Sequence, residues 1–444
     1  MNRIVRAILI SHVLLVCAMN ARAESPNVVL IMADDLGYGD IGCYDGWIKT
    51  PHIDSIAENG VRFTDYHSNG NVCSPTRAAL MTGLYQQKVG IPFVVVAAET
   101  NVNHFAGIQP IETTWAEVMR AGGYATGIFG KWHLGYYRQY NPVKHGFDEF
   151  IGYLSGNVDF FSHIDQAGNR DWWRNMRLKE EEGYSTHLIT KHATEFIDRH
   201  ANKKPFFLYV PHEAPHYPYQ GPTDHAERTV GGEFENHGSR IDKKEAYREM
   251  VVEMDNGVGQ ILQAISRNKL QEKTIVIFCS DNGATSLGSN GHLRGTKGTN
   301  YEGGHRVPCV VQWPERFPKN RTNAQLMLSM DWMATILAIT GLRKHCSRPL
   351  DGLDLTSYIL ENRKPVARTV MWGDSTLRSG KWKLMLPQKQ HAATGLYDLS
   401  RDPAESNNLA EEFPAVVELL AADLKDLSDD AKMRATLQPL EAPN

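Results

Sequence analysis

Cysteine is scarce in this 444-residue chain: there are six, and no two form a Cys-x-x-Cys pair. The usual signal of a cysteine-based metal or redox motif is therefore missing. Positive charge is not in excess either, with 47 Lys and Arg against 51 Asp and Glu and a formal net charge of −4. Without a long basic run, nothing points to nucleic acid as a partner. No internal repeat or low-complexity tract is visible, and after the first 23 residues no apolar run is long enough to span a bilayer. Any affinity for an anionic substrate must come from local placement of Arg, Lys and His.

The hydrophobic content of 42% and charged content of 22% are those of a globular protein, and the length suits two domains better than one. Residues 1–23 have the form of a signal peptide. Arg3 and Arg6 give a positive start, Ala7 to Met19 is mostly apolar, and Ala21-Arg22-Ala23 is a small-x-small cleavage site. The mature protein is expected to be secreted or periplasmic. Cys17 invites a lipoprotein reading, but Val16 before it fits that signal poorly. An oxidising compartment permits one or two disulfides among Cys43, Cys279, Cys309 and Cys346, although Cys279 and Cys309 sit in apolar strand-like runs that favour simple burial.

Asn27 to Ala33 is a continuous apolar, β-branched run that ends abruptly in Asp34-Asp35, as a strand buried on both faces of a parallel sheet does. Thr50-Pro51 opens a helix closed by Gly60, Val61 to Tyr66 reads as a strand, and Glu112 to Ala121 as a helix. Tyr124 to Phe129, Phe206 to Val210 and Thr274 to Ser280 read as further strands. This alternation predicts an α/β fold with helices on both faces of a large sheet. Ligands of such sheets bind beyond the carboxyl ends of the strands. Polar clusters stand there: Asp34-Asp35, Lys131-Trp132-His133, His212 to His216 and Asp281-Asn282-Gly283. Ile91 to Gln109 reads as a loop near the site, and 153–185 as an insertion of low regularity. From Cys346 the texture changes to short strands (Val370 to Trp372, Trp382 to Leu386, Leu396 to Leu399) and a helix from Pro414 to Leu427. A catalytic domain over 24–345 and an antiparallel sheet-plus-helix domain over 346–444 are expected.

One stretch stands out for its chemistry. Ser68 to Val72 is a small polar loop leading into Cys73-Ser74-Pro75-Thr76-Arg77, and the segment to Gly83 reads as a helix with Ser74 as its cap and Gly83 as its stop. Cys73 thus sits just ahead of a helix N-terminus, where free N–H groups and the helix dipole favour an anion, and Arg77 lies one turn along. Asp34, Asp35, Asp281 and Asn282 form a hard-oxygen set suited to Ca²⁺ or Mg²⁺ rather than Zn²⁺. An oxygen on a modified Cys73 would bring the shell to about six, which favours Ca²⁺ over Mg²⁺. Lys131 and His133, two apart on a segment read as extended, point to the same side.

Cys73-x-Pro75-x-Arg77 followed by Ala-Ala-Leu-Met-Thr-Gly resembles the signature of the type I, formylglycine-dependent sulfatases of the alkaline phosphatase superfamily. Gly130-Lys131-Trp132-His133-Leu134-Gly135, Pro215-His216-Tyr217-Pro218 and Gly295-Thr296-Lys297-Gly298-Thr299 are similar to further family motifs. Ser379 to Lys383 and Leu396 to Leu399 resemble its C-terminal domain, so the likeness covers nearly the whole mature chain. It implies a large mixed sheet between helix layers and a smaller C-terminal α+β domain. It also implies that Cys73 is oxidised to Cα-formylglycine (3-oxoalanine) by a formylglycine-generating or anaerobic sulfatase-maturing enzyme. The hydrated aldehyde would attack sulfur, with the cation on Asp34, Asp35, Asp281, Asn282 and residue 73. By the same resemblance Arg77 steadies the nucleophile, and Lys131 contacts sulfate. His133 is the base that later collapses the diol, Lys297 binds sulfate, and His216 is the general acid. His145-Gly146-Phe147-Asp148 and Tyr153 to Phe161 look most like sulfatases acting on N-acetylgalactosamine sulfates, so the expected substrate is a sulfated carbohydrate, or an aryl sulfate as a probe. Two other readings stay open: a phosphodiesterase or phosphonate hydrolase of the same superfamily, and a non-catalytic binder of sulfated glycans if Cys73 remains a thiol. His212 lines up poorly with the family's histidine, Ser155 reads as a turn residue, and Trp172 and Trp173 as core.

Overall fold

The computed structural model describes residues 25–110, 113–361, 363–388 and 391–436. The expected signal peptide, Cys17 included, lies outside them. Ten strands make the main sheet, in the order β11-β2-β10-β9-β1-β8-β4-β5-β6-β7. They are β1 (Asn27–Ala33), β2 (Val61–Phe63), β4 (Ala125–Lys131), β5 (Glu149–Tyr153), β6 (Trp173–Arg174), β7 (Arg177–Leu178), β8 (Phe206–Pro211), β9 (Thr274–Ser280), β10 (Cys309–Gln312) and β11 (Arg321–Asn323). β3 (Tyr66–His67) pairs separately with β12 (Met327–Leu328). The central five, β9-β1-β8-β4-β5, are all parallel, whereas β10 runs antiparallel to β9 and β6 to β5. The sheet is therefore mixed, as the family likeness implied.

β1 shows why its sequence has no polar face. Val28, Leu30 and Met32 enter one apolar core while Val29, Ile31 and Ala33 enter the other, and all six are fully buried. Period-two alternation on a strand covered on both sides demands apolar residues throughout. Each large side chain so buried contributes about 1.5–3 kcal/mol. One layer is formed by α1 (Pro51–Glu58), α4 (Ser185–His200) and α5 (Lys243–Arg267), the other by α2 (Cys73–Thr82), α3 (Trp115–Ala121) and α6 (Asp331–Ile339). A separate antiparallel sheet, β13 (Thr369–Trp372), β14 (Thr376–Ser379), β15 (Trp382–Met385) and β16 (Gly395–Asp398), is covered by α7 (Pro414–Thr436) through Leu420, Leu424 and Ala431. Among the described residues no helix is long and apolar enough to cross a membrane.

Several local expectations need correction. α2 begins at Cys73 itself, with Val72 as an extended N-cap and no side-chain cap; Ser74 is inside the helix and buried, and its Oγ accepts from the Val95 N–H at 3.0 Å. Gly83 does end the helix, in the left-handed region at φ 67°. α3 starts at Trp115 rather than Glu112, because Thr114 and Glu117 form a reciprocal capping box. The segment from Lys131 to His133 is not extended: β4 ends at Lys131 and His133 has φ +60°. The closing helix runs on to Thr436. Cys43, Cys279, Cys309 and Cys346 are free thiols, so no disulfide forms among the described residues.

Candidate active site

The carboxyl ends of the parallel strands lie on one edge of the sheet, and the charged residues after them converge there. Asp34 and Asp35 follow β1, Asp281 and Asn282 follow β9, Lys131 closes β4, and His212 to His216 follow β8. α2 brings Cys73 in from above with its Sγ 3.5 Å from Asp34 Oδ1. Lys131 Nζ donates to Asp34 Oδ2 at 2.5 Å and Lys297 Nζ to Asp35 at 2.8 Å. Arg77 donates to Asp281 Oδ2 through Nη2 at 2.7 Å and through Nε at 3.1 Å, and Nη2 is 3.7 Å from Asp34. Two buried cations, Arg77 and Lys131, and the half-buried Lys297 thus face three buried carboxylates around one thiol. A turn contact holds the arrangement: the Gly283 N–H donates to Gly304 O at 3.0 Å, and a Cβ on Gly283 would fall 1.8 Å from Gly303 O. Only glycine permits that approach.

The electrostatics follow from burial. Burial raises Asp35, but Lys297 and His216 outweigh it and hold the carboxyl at about 2. Asp281 goes the other way, to about 6, through burial and the nearby Asp34 charge, which Arg77 and Lys131 only partly offset. Burial pushes the Cys73 thiol up to about 12 despite Lys131 and Lys297. His133 and His216 are both driven well below their ordinary range, first by burial and then by the flanking cations.

Hydrogen bonds fix the imidazoles. His133 Nε2 lies 2.7 Å from Val95 O, an acceptor, so Nε2 carries the proton and the buried Nδ1 is left without a partner. His216 Nδ1 lies 2.7 Å from Tyr217 O and Nε2 3.7 Å from Asp35. Its ring therefore presents Nε2 to the carboxylates. His212, by contrast, has neither ring nitrogen paired and is pushed to about 3 by burial. The Ser155 hydroxyl donates to Asn157 O, as a turn residue would. Trp172 is buried in the core and Trp173 is half-buried. The expected loop at 91–109 does border the site, through Val95, a position no side-chain motif marks because it acts by its backbone alone. Another group passed unnoticed in the sequence: Lys383 on β15 is buried against Glu302, Glu405 and His305. The charged residues beside Gly303-Gly304 were its only trace.

The donor set fits a hard cation. Asp34, Asp35, Cys73 and His216 offer ligand atoms within 4.8 Å of one another. Asn282 donates through Nδ2 to Asp35 Oδ1 at 2.7 Å, while its buried Oδ1 has no partner. A buried amide oxygen without a partner beside clustered carboxylates is a donor set that suits a hard divalent cation.

Sequence and structure comparisons agree on the kind of protein. Residues 26–342 match the family profile described as Sulfatase, and residues 295–430 match N-sulphoglucosamine sulphohydrolase, C-terminal. N-acetylgalactosamine-6-sulfatase of Canis lupus familiaris is 36% identical over 361 residues, covering 76% of this chain and 66% of its own length. The chain thus spans about two thirds of that relative. Arylsulfatase G of Rattus norvegicus is 29% identical over 493 residues, covering 93% of this chain and 89% of its own. The solved structure of Ps i-CgsB in complex with k-i-k-neocarrahexaose superposes with a TM-score of 0.79 at 27% identity, covering 93% of this chain and 94% of that one.

Proposed function

The chain belongs to the sulfatase family of sulfuric ester hydrolases, and from that premise we propose that it removes sulfate from a glycan through residue 73 in its formylglycine form. One observation carries the reading: residue 73 opens α2 with its side chain ringed by Arg77, Lys131 and Lys297 and by Asp34, Asp35 and Asp281. As a thiol pushed up to about 12 by burial, Cys73 itself would be a poor nucleophile at neutral pH. Formylglycine supplies a hydrated aldehyde oxygen as nucleophile. Asp34, Asp35, Asp281 and Asn282 would hold a divalent cation, Ca²⁺ in preference to Mg²⁺, which polarises the attacking oxygen and one sulfate oxygen when bound.

The chain's own residues do the rest. Lys131 and Lys297 neutralise the sulfate oxygens, offsetting the repulsion between an anionic ester and an anionic nucleophile. Arg77 keeps Asp281 ionised and fixed. His216 and Lys297 stand on the Asp35 side of the site, where a leaving alcohol oxygen needs a proton. The free Nδ1 of His133 is the acceptor for the residue-73 hydroxyl proton once sulfur has been transferred. The relatives' names, an N-acetylgalactosamine-6-sulfatase and a protein seen with an oligosaccharide, support a sulfated saccharide as the substrate class. The segment at 1–23 supports export.

The test is sulfate release. Matured, Ca²⁺-loaded protein should free inorganic sulfate from an aryl sulfate and from sulfated mono- or oligosaccharides, while Cys73→Ala folds and releases none. Full activity in Cys73→Ala, or faster cleavage of aryl phosphate diesters than of the sulfate, would overturn the proposal.

A further inference from the structure

The loop at 91–109 carries an exposed aromatic patch on its way past His133. Val102–Phe105 is a single turn of 3-10 helix, a geometry in which residues three apart share a face. Val102 is 79% exposed and Phe105 40%, so the face they share is open to solvent. Single apolar residues are ordinary on a surface, whereas rings gathered into one patch with a polar rim mark a binding site. A second ring joins these two. Tyr137, half-buried, lies 24° from parallel to Phe105 with centroids 6.0 Å apart. At that separation two near-parallel rings are slipped sideways rather than piled up, which widens the apolar surface.

His104 fixes the pair. It is buried, stacks on Tyr136 at 4.7 Å and meets Phe105 and Tyr137 edge-on at 5.4 and 5.8 Å. Its Nδ1 donates to Val96 O at 3.1 Å, while the preceding carbonyl, Val95 O, accepts from His133 Nε2. The Ile108 N–H donates to Leu134 O at 3.0 Å. The patch is thus built from the same two segments that orient the His133 imidazole. Tyr137 is four residues beyond His133, so their Cα atoms are at most about 15 Å apart.

The surroundings are polar and nearly neutral. Asn103 and Gln139, each two residues from a ring of the patch, have side-chain amides with no hydrogen bond among the described residues. Glu99 and Arg138, of opposite sign, are exposed nearby in the sequence. A pyranose suits such a surface: its C–H face is apolar and meets the negative face of an aromatic ring, and its hydroxyls need amides rather than a countercharge. We propose that Phe105 and Tyr137 form an outer saccharide subsite, which holds a sugar unit of the chain beyond the one that loses sulfate. The stacking surface stands on its own geometry; its place along a sulfated glycan rests on the sulfatase reading.

Calorimetric titration of unmatured, Ca²⁺-loaded protein tests this without turnover. Two pairs of probes serve: N-acetylgalactosamine 6-sulfate with a chondroitin 6-sulfate hexasaccharide, and galactose 4-sulfate with a carrageenan hexasaccharide. In at least one pair the wild type should bind the hexasaccharide more tightly than the single sugar. Phe105→Ala, Phe105→Leu and Tyr137→Ala should each lower that ratio of affinities about fivefold to tenfold. Phe105→Leu keeps apolar volume and deletes the ring face, which separates stacking from simple burial. In the matured protein the same ratio, read in kcat/KM, should fall through the KM of the hexasaccharide. No preference for the hexasaccharide in either pair, an unchanged ratio in Tyr137→Ala, or a wild-type ratio in Phe105→Leu would each overturn the proposal. Absence of aryl sulfate turnover by matured wild type would instead sink the sulfatase reading and leave the titration intact.

Discussion

Replacing Lys383 by Met should expose the cost of leaving buried carboxylates without their ammonium between the small peripheral sheet and the catalytic domain, which Arg378–Asp65, Arg368–Asp331 and the Trp372–Ser68 hydrogen bond also join. Lys383 Nζ donates to Glu302 Oε1 at 2.9 Å and lies 2.9 Å from Glu405 Oε1 in an ion contact. All three side chains are fully buried. Each pair is worth about 6 kcal/mol of gross attraction at an effective dielectric of ~20, and desolvation of the ions cancels most of it. The intact cluster is therefore near neutral for stability, but removing the ammonium alone leaves Glu405 without a cation beside a Glu302 that keeps only Arg306, 3.3 Å away. That loss should cost about 3–5 kcal/mol at pH 7.5 in urea denaturation. The sign with pH follows from which groups lose their partner. Burial raises both carboxyls, and Lys383 is the largest force opposing that rise: it keeps Glu302 well below its ordinary range, while Glu405 still lies above its own. Without Lys383 both rise, Glu405 further above its unfolded value, so the penalty is smallest in acid and grows as pH climbs past it. Lys383→Met/Glu302→Gln, with one carboxylate fewer, should recover part of the loss. A Lys383→Met protein within about 1 kcal/mol of wild type at pH 7.5, or one whose deficit grew toward acid, would refute the argument.

Three other outcomes are expected. Folded protein that has not been matured, treated with iodoacetamide at pH 8, should leave Cys73 unalkylated by peptide mass spectrometry and react there only after unfolding, since the thiol is 3% exposed and pushed up to about 12 by burial. Chelation should lower the melting temperature and Ca²⁺ restore it, by about 2.7 kcal/mol at a hundredfold excess over Kd; indifference to both would exclude the cation site. Asp171, pushed to about 6 by burial, has a folded pKa above its unfolded one, so its contribution is full below pH ~4 and lost as pH rises through about 6. Asp171→Asn should accordingly gain on wild type by up to ~3 kcal/mol between pH 4 and 7.5 in denaturation curves; a constant difference would contradict this.

What the sequence disclosed, and what it hid, divides along physical lines. The strands at 27–33 and 274–280 were legible because a doubly covered strand tolerates no polar residue, and Asp34 and Asp281 stand where each apolar run breaks. Thr376–Ser379 escaped notice as a strand because half of it is only partly buried and it carries no such run. Ser74 has the residue type of a cap, yet tertiary contact with Val95 drew its hydroxyl inward and the helix began two residues earlier. The left-handed turn at His133 carries no glycine to announce it, so an extended reading of Lys131 to His133 was natural and wrong. Clusters that depend on segments far apart, such as Lys383 with Glu302, have no local pattern at all.

The order in which the sheet is threaded has a consequence in time. Residue 73 leaves the ribosome 208 positions before Asp281, the residue that clamps Arg77, and further still before Lys297. At about 5–20 residues per second, synthesis leaves an interval of roughly 10–40 s during which that side chain exists without the strand that will enclose it. On the formylglycine proposal, an oxidase would meet residue 73 in that interval or on a chain that has not yet closed, so slower translation through residues 74–281 would keep the side chain within its reach for longer.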